Sequence, residues 1–167
     1  MRTITKICAL LFVFSLVACG GGEKKEKESF AIKKAKTETT KVEKKENSSV
    51  PASKKVDLES KGVGPITSIT LNAKIDKAMA AKGEETFKKM CTACHRIGKK
   101  FIGPAPDGIM ERRTPEWVMN MILNPTEMVQ KDALAKELLM EFNGSPMSNQ
   151  NLSEEEARAV VEYFRTL

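Results

Sequence analysis

The chain has 167 residues, with 28 Lys and Arg against 22 Asp and Glu, a single His, four Cys and 5% aromatics. Its net charge of +6 would suit nucleic acid, yet the excess lies outside the prospective domain: Arg2 and Lys6 flank an apolar leader, residues 20–62 hold 12 Lys against 8 acids, and residues 63–167 hold 14 of each sign. A neutral domain behind an export leader excludes a nucleic-acid-binding role and leaves only weak attraction of the basic segment to anionic lipid.

The leader runs apolar from Ile7 to Val17, too short to span a bilayer as a permanent helix. It ends in Leu16-Val17-Ala18-Cys19, which resembles the lipobox of bacterial lipoprotein signal peptides. That resemblance implies a signal peptide over residues 1–18, cleavage before Cys19 and lipidation of Cys19. The rest of the chain is then expected in the cell envelope, lipid-anchored on the periplasmic side of the inner or outer membrane. Residues 19–62 read as the lipidated Cys and a disordered Lys/Glu-rich tether, because Phe30, Ile32, Val42, Val50, Val56 and Leu58 are too few to offset ordering entropy. A flexible chain of that length has an r.m.s. span of roughly 35–40 Å.

Residues 63–167 suit one small domain, and the periodicity is helical throughout. Ile75, Met79, Gly83, Phe87 and Met90 form one stripe on a first helix. Gly83 on that stripe costs about 1 kcal/mol relative to alanine, which a close helix crossing would explain. The helix runs into Cys91-Thr92-Ala93-Cys94-His95, which holds the chain's only His. Thr114-Pro115 supplies an N-cap and first helical residue, and the next helix carries Trp117, Val118, Met121 and Ile122 until Asn124-Pro125 stops it. A further helix is expected from Asp132 to Phe142, with Leu134, Leu138, Leu139 and Phe142 inward and Asn143-Gly144 ending it. Ser153 and Glu156 form a capping-box signature, Leu152 and Ala157 a staple, and Ala157, Val160, Val161, Phe164 and Leu167 the buried stripe of the last helix, the expected partner of Gly83.

Two thiols three positions apart, followed at once by a histidine, read as a covalent haem c attachment site: the thiols bond one porphyrin edge and the imidazole lies under the iron. A zinc site would want a further Cys or His pair, and none follows His95. A thioredoxin-like pair would want a preceding strand, and the residues before Cys91 have helical period. A plain disulfide is the remaining use of the pair. With Cys8 leaving in the signal and Cys19 lipidated, Cys91 and Cys94 exhaust the thiols. Haem attachment and lipidation demand the same side of the membrane.

Gly83, Phe87, Cys91, Cys94 and His95, then Gly103-Pro104, Met147, and Leu152 to Glu156 before an apolar C-terminal helix resemble the class I cytochrome c family over about residues 74–167. The resemblance implies an all-α fold of three to five helices around one covalent haem c, with terminal helices packed crosswise and His/Met iron ligation. It also implies that the carbonyl of Pro104 fixes the ring of His95. Arg112, Arg113 and Trp117 are donors suited to the haem propionates; surface charge for the arginines and core packing for Trp117 are the competing readings.

From the residues alone, the sixth ligand is methionine, lysine, water or none. Met119, Met121 and Met140 lie in expected helices and read as packing, whereas Met147 lies in the loop Gly144–Asn149, which can curl over a haem. The resembled family also puts its ligand there. Members commonly carry proline after this methionine; here Pro146 precedes it and Ser148 follows.

The function expected is one-electron transfer, not catalysis: a lipid-tethered carrier between a membrane quinol-oxidising complex and a terminal oxidase or reductase such as nitrous-oxide reductase. Lys88, Lys89, Lys99 and Lys100 could steer an acidic redox partner. The alternative is a haem-based ligand sensor or peroxidase-like enzyme with a labile sixth ligand, although a distal histidine to assist peroxide cleavage is missing.

Overall fold

Four helices of this protein begin where a short side chain, Asp76, Thr114, Asp132 or Ser153, accepts from free backbone amides. The computed structural model describes residues 50–167; the expected leader, Cys19 and the tether up to residue 49 lie outside the described residues. Five α-helices follow in order: α1 Lys77–Met90, α2 Pro115–Leu123, α3 Pro125–Lys131, α4 Ala133–Glu141 and α5 Glu154–Phe164. Short 3₁₀ turns at Ala52–Lys54 and Ile109–Glu111 complete them. The all-α expectation holds. Among the described residues, no helix is long and apolar enough to cross a membrane.

Asp76 caps α1 by accepting from the amides of Ala78 and Met79. Helix α1 therefore starts after Ile75, which is exposed rather than part of the buried stripe. Thr114 caps α2 with Pro115 in its first turn, as expected, and α5 carries the full capping box between Ser153 and Glu156. Asn124-Pro125 does end α2, but Pro125 also opens α3, since a residue with no N–H to lose is at home in a first turn. Asp132 is the cap of α4, not its first residue. Asn143 and Gly144 leave α4 with φ of 59° and 71°, and the amide of Gly144 returns to Leu139 O at 2.8 Å. Met140 on α4 points to water, 72% exposed, so its expected packing role is not found.

Helices α1 and α5 cross at Gly83, where any Cβ would run into the carbonyl of Ala159 and sit 2.9 Å from the amide of Val160. Phe87 seals the crossing, its ring centroid 5.7 Å from both Tyr163 and Phe164. Trp117, Val118, Met119, Ile122, Met128, Ala135, Ala157, Val160 and Val161 make the core, so Met119 is filler as expected.

The expected domain boundary at residue 62 moves toward the N-terminus. Residues 50–72 form a strap over the helices, held by polar side chains along its length and by apolar packing in its second half, where Ile66 joins the core and Val63, Ile69 and Leu71 pack against it. Ala52 is buried, and Thr114 Oγ1 donates to Ser60 O at 2.6 Å. Along α2, Glu116, Asn120 and Asn124 repeat at four-residue steps and each meets the strap. Glu116 accepts from Ile69 N at 3.2 Å, Asn120 bonds Lys61 O and both backbone groups of Ile66, and Asn124 donates to Val63 O at 3.5 Å. Buried Met128 accepts the amide of Val63 on its sulfur at 3.0 Å.

Candidate functional site

The C-terminus of α1 feeds a turn that folds its cysteines and histidine back into one cleft. The amides of Cys94 and His95 both return to Cys91 O, at 3.1 and 2.9 Å, and Gly103 N returns to Cys94 O at 2.9 Å. Arg96 donates to Thr92 O and its guanidinium lies 4.7 Å from the Phe101 ring centroid, bracing the loop outside the cleft. Cys91 and Cys94 are free thiols, so the disulfide reading is not what this structure holds. Burial, with Cys94 beside it, pushes the Cys91 thiol up to about 11.

His95 is fixed from behind. Its Nδ1 lies 2.8 Å from Pro104 O; a carbonyl has no proton to give, so Nδ1 donates and Nε2 keeps its lone pair for a metal. The ring rests on Gly103, where a Cβ would lie 2.6 Å from Cε1. Only a glycine leaves room for the imidazole in this orientation.

The walls of the cleft are apolar and come from all five helices: Phe87 and Met90 of α1, Val118 and Met121 of α2, Val129 of α3, Leu138 of α4, Val160 of α5. Met147 lines the same cleft from the loop between α4 and α5, and it packs on the core. Met121 also lines it, so the helix position that read as packing borders the site. The Met147 loop is tied to α2 through Asn149 Nδ2, which donates to Leu123 O at 3.0 Å.

Three further expected residues meet on the cleft. Arg112, Arg113 and Trp117 all line it, and Arg112 Nε, Arg113 Nε and Trp117 Nε1 are buried N–H donors with no partner among the described residues. Buried donors left unpaired cost about 1–3 kcal/mol each, so three in residues that line one cleft point to an acceptor that belongs there. Arg113 is not the surface charge it could have been: it is 2% exposed, its guanidinium 5.3 Å from the Trp117 ring centroid. Trp117 is both core and wall.

The residues present therefore fit a covalently held haem: two thiols, an oriented imidazole, a thioether, an apolar envelope and donors for carboxylates. One contributor and one role escaped sequence reasoning. Ser53 lines the cleft from the strap, and Gly103 seats the His95 ring. No local pattern marks Ser53, which lies in a segment that reads as tether.

The family profile described as Cytochrome c matches residues 80–167. The fold is similar to that of cytochrome c from Rhodothermus marinus, with a TM-score of 0.60 and 45% identity, covering 62% of this chain and 88% of that one. An engineered Rhodothermus marinus cytochrome c matches with a TM-score of 0.60 and 44% identity, over 62% of this chain and 89% of that one. A structure of the engineered protein bound to a carbene intermediate gives a TM-score of 0.58 and 45% identity, over 62% and 88%. No curated protein matches the chain.

Proposed function

We propose that this chain, which belongs to the cytochrome c family, is a lipid-tethered one-electron carrier with a single haem c. The observation that carries the reading is the gathering of Cys91, Cys94, the fixed His95 and Met147 on one apolar cleft. Haem bound there would supply an iron that takes up and gives back one electron, with a sulfur ligand favouring a higher potential than a second imidazole would.

In this proposal Cys91 and Cys94 would hold the haem covalently, and His95 Nε2 and Met147 Sδ would be the ligands to its iron. The Pro104 carbonyl holds the His95 ring and keeps its Nδ1 proton in place. Arg112, Arg113 and Trp117, whose Nε, Nε and Nε1 donors have no partner among the described residues, would donate to the propionates. The apolar envelope excludes water, which keeps the charge change on oxidation in a low-dielectric site and limits rearrangement.

Around the Cys94 turn, Ile97, Phe101 and Ile102 are exposed apolar residues among Arg96, Lys99 and Lys100. That surface suits an acidic redox partner with an apolar centre. Lys88 contributes less than its sequence suggests, because Glu84 pairs with it at 2.7 Å. The donor and acceptor proposed are a membrane quinol-oxidising complex and a terminal oxidase or reductase, with nitrous-oxide reductase one such acceptor. Cys19 would carry the lipid, and residues 20–49 would be the leash to the periplasmic side of the inner or outer membrane.

Two observations favour ligand binding as a second reading: the Met147 loop is fastened to α2 by a single side-chain bond, and an engineered relative is described as bound to a carbene intermediate. The chain has no second histidine to assist peroxide chemistry, which keeps electron transfer ahead.

Absorption spectra of the full chain made with a haem c maturation system test the proposal. One c-type haem, with a methionine-to-iron band lost in Met147→Ala, is the expected result. A colourless protein would sink it; a haem protein lacking that band in the wild type would favour the ligand-binding reading. Cys19→Ser should move the protein from the membrane to the soluble fraction.

A further inference from the structure

The strap reaches the cleft at one place. Its first turn is fastened to α4: Ser53 N and Ser53 Oγ donate to the two carboxylate oxygens of Glu141 at 2.7 and 2.6 Å, and Lys55 pairs with Glu137. From this anchored turn, carbonyls point at Arg113. Its guanidinium donates to Lys55 O and, at 2.8 Å, to Ala52 O, and a third bond at 2.7 Å goes to Arg112 O. Asp57 N closes the arrangement on Arg112 O at 2.9 Å.

The terminal nitrogens of Arg113 are thus engaged by the strap, while Nε is buried without a partner in a residue that lines the cleft. A guanidinium is a rigid plane, so engaging its NH1 and NH2 edge fixes where Nε points. We infer that strap residues 52–57 are part of the redox site: they make Arg113 a positioning residue, aiming its Nε–H at the haem carboxylates so that docking of the strap sets the reduction potential.

This rests on the haem reading above. The sign follows from charge. Carboxylates near the iron favour its ferric form, and a donor held against them offsets that effect. Loosening the strap frees Arg113, exposes the carboxylates and lowers the potential. The segment joining the domain to the chain's N-terminal part is then coupled to the electron-transfer energetics.

The test uses the full-length holoprotein. Ser53→Pro deletes both donors to Glu141 without changing charge, and Arg113→Ala removes the guanidinium. Because Arg113→Ala takes a donor from three carbonyls, leaving that of Lys55 with none, and can fail to fold, the cycle is repeated with Arg113→Lys, which keeps the charge but loses the fork.

In Ser53→Pro, trypsin should cut after Lys54 and Lys55 several-fold faster, and the potential should fall in the same direction as in either Arg113 variant. The double variant should fall no further than the Arg113 variant alone, the non-additivity expected of residues acting through one contact. Three results each overturn the inference: faster cleavage with an unchanged potential, additive shifts in the double variant, or no change in cleavage. A protein that binds no haem instead overturns the reading beneath it.

Discussion

Asn120 of α2 grips the peptide groups of Ile66 from both sides, accepting from its N–H on Oδ1 and donating to its C=O from Nδ2, each at 2.9 Å. The side chain, 1% exposed, also donates to Lys61 O at 2.9 Å, so one amide does for the strap what a neighbouring strand would do in a sheet. Asn120→Asp keeps the shape but has no donor to offer, leaving two carbonyls unmet. It should cost about 2–4 kcal/mol, from two lost bonds and the burial of a charge. Urea unfolding of the holoprotein checks this, with Asn120→Ser expected to fall between Asp and wild type.

Helix order and the attachment motif were legible because each has its own local signal: Thr114-Pro115 and Ser153 to Glu156 for the helix starts, the Cys91 to His95 run for the site. Gly83 was legible too, since a glycine on an apolar helix stripe asks for a close neighbour, and α5 supplies it. The strap was not. Composition measures what a segment can bury, and residues 50–62 bury little; they are held by the side chains of residues about 54–88 positions away. The available sign was on the other partner: Glu116, Asn120 and Asn124 place polar groups at i, i+4 and i+8 of an otherwise apolar helix. Helix α3 was hidden because Pro125 was read as a stop, when the same residue is equally a start.

Gly83→Ala tests the crossing of α1 and α5. The substitution gains about 1 kcal/mol in helix propensity but drives a methyl into the Ala159 carbonyl, which is backbone and cannot turn aside. The net loss should be about 2 kcal/mol or more, seen as a lower melting temperature with the absorption spectrum of the surviving folded protein unchanged. A melting temperature at or above wild type would show that the helices are not packed this closely.

Gly103→Ala acts on the site itself. A Cβ there lies 2.6 Å from His95 Cε1 and 3.0 Å from Nδ1, so the ring must turn and the 2.8 Å bond to Pro104 O is broken. The expected outcome is a reduced ratio of haem to polypeptide in the purified protein, while the far-ultraviolet circular dichroism of the haem-loaded fraction stays close to wild type. Wild-type loading with an unaltered spectrum would mean that the His95 ring has room this packing denies it.

Glu162 links the last helix to the segment before α1 and should give stability a pH dependence of predictable sign. It is 1% exposed; burial alone would raise its carboxyl, but the Asp76 amide at 2.8 Å and the guanidinia of Arg158 and Arg165, each at 2.7 Å, outweigh burial and hold it below the ordinary 4.5. A carboxyl lowered in the folded state contributes stability that is fully present above its unfolded value and is lost as the pH falls through the folded one. Glu162→Gln keeps the shape and removes the charge, so the wild type should exceed it by about 1–3 kcal/mol near pH 7. That margin should hold down to about pH 5 and shrink steadily below it, since protonation then leaves the wild type with the same neutral group as the variant. Urea midpoints of the two proteins between pH 3 and pH 7, a range set by that window, measure it. A margin that does not narrow toward acid would place the contribution of Glu162 in its shape and hydrogen bonds, with none from its charge.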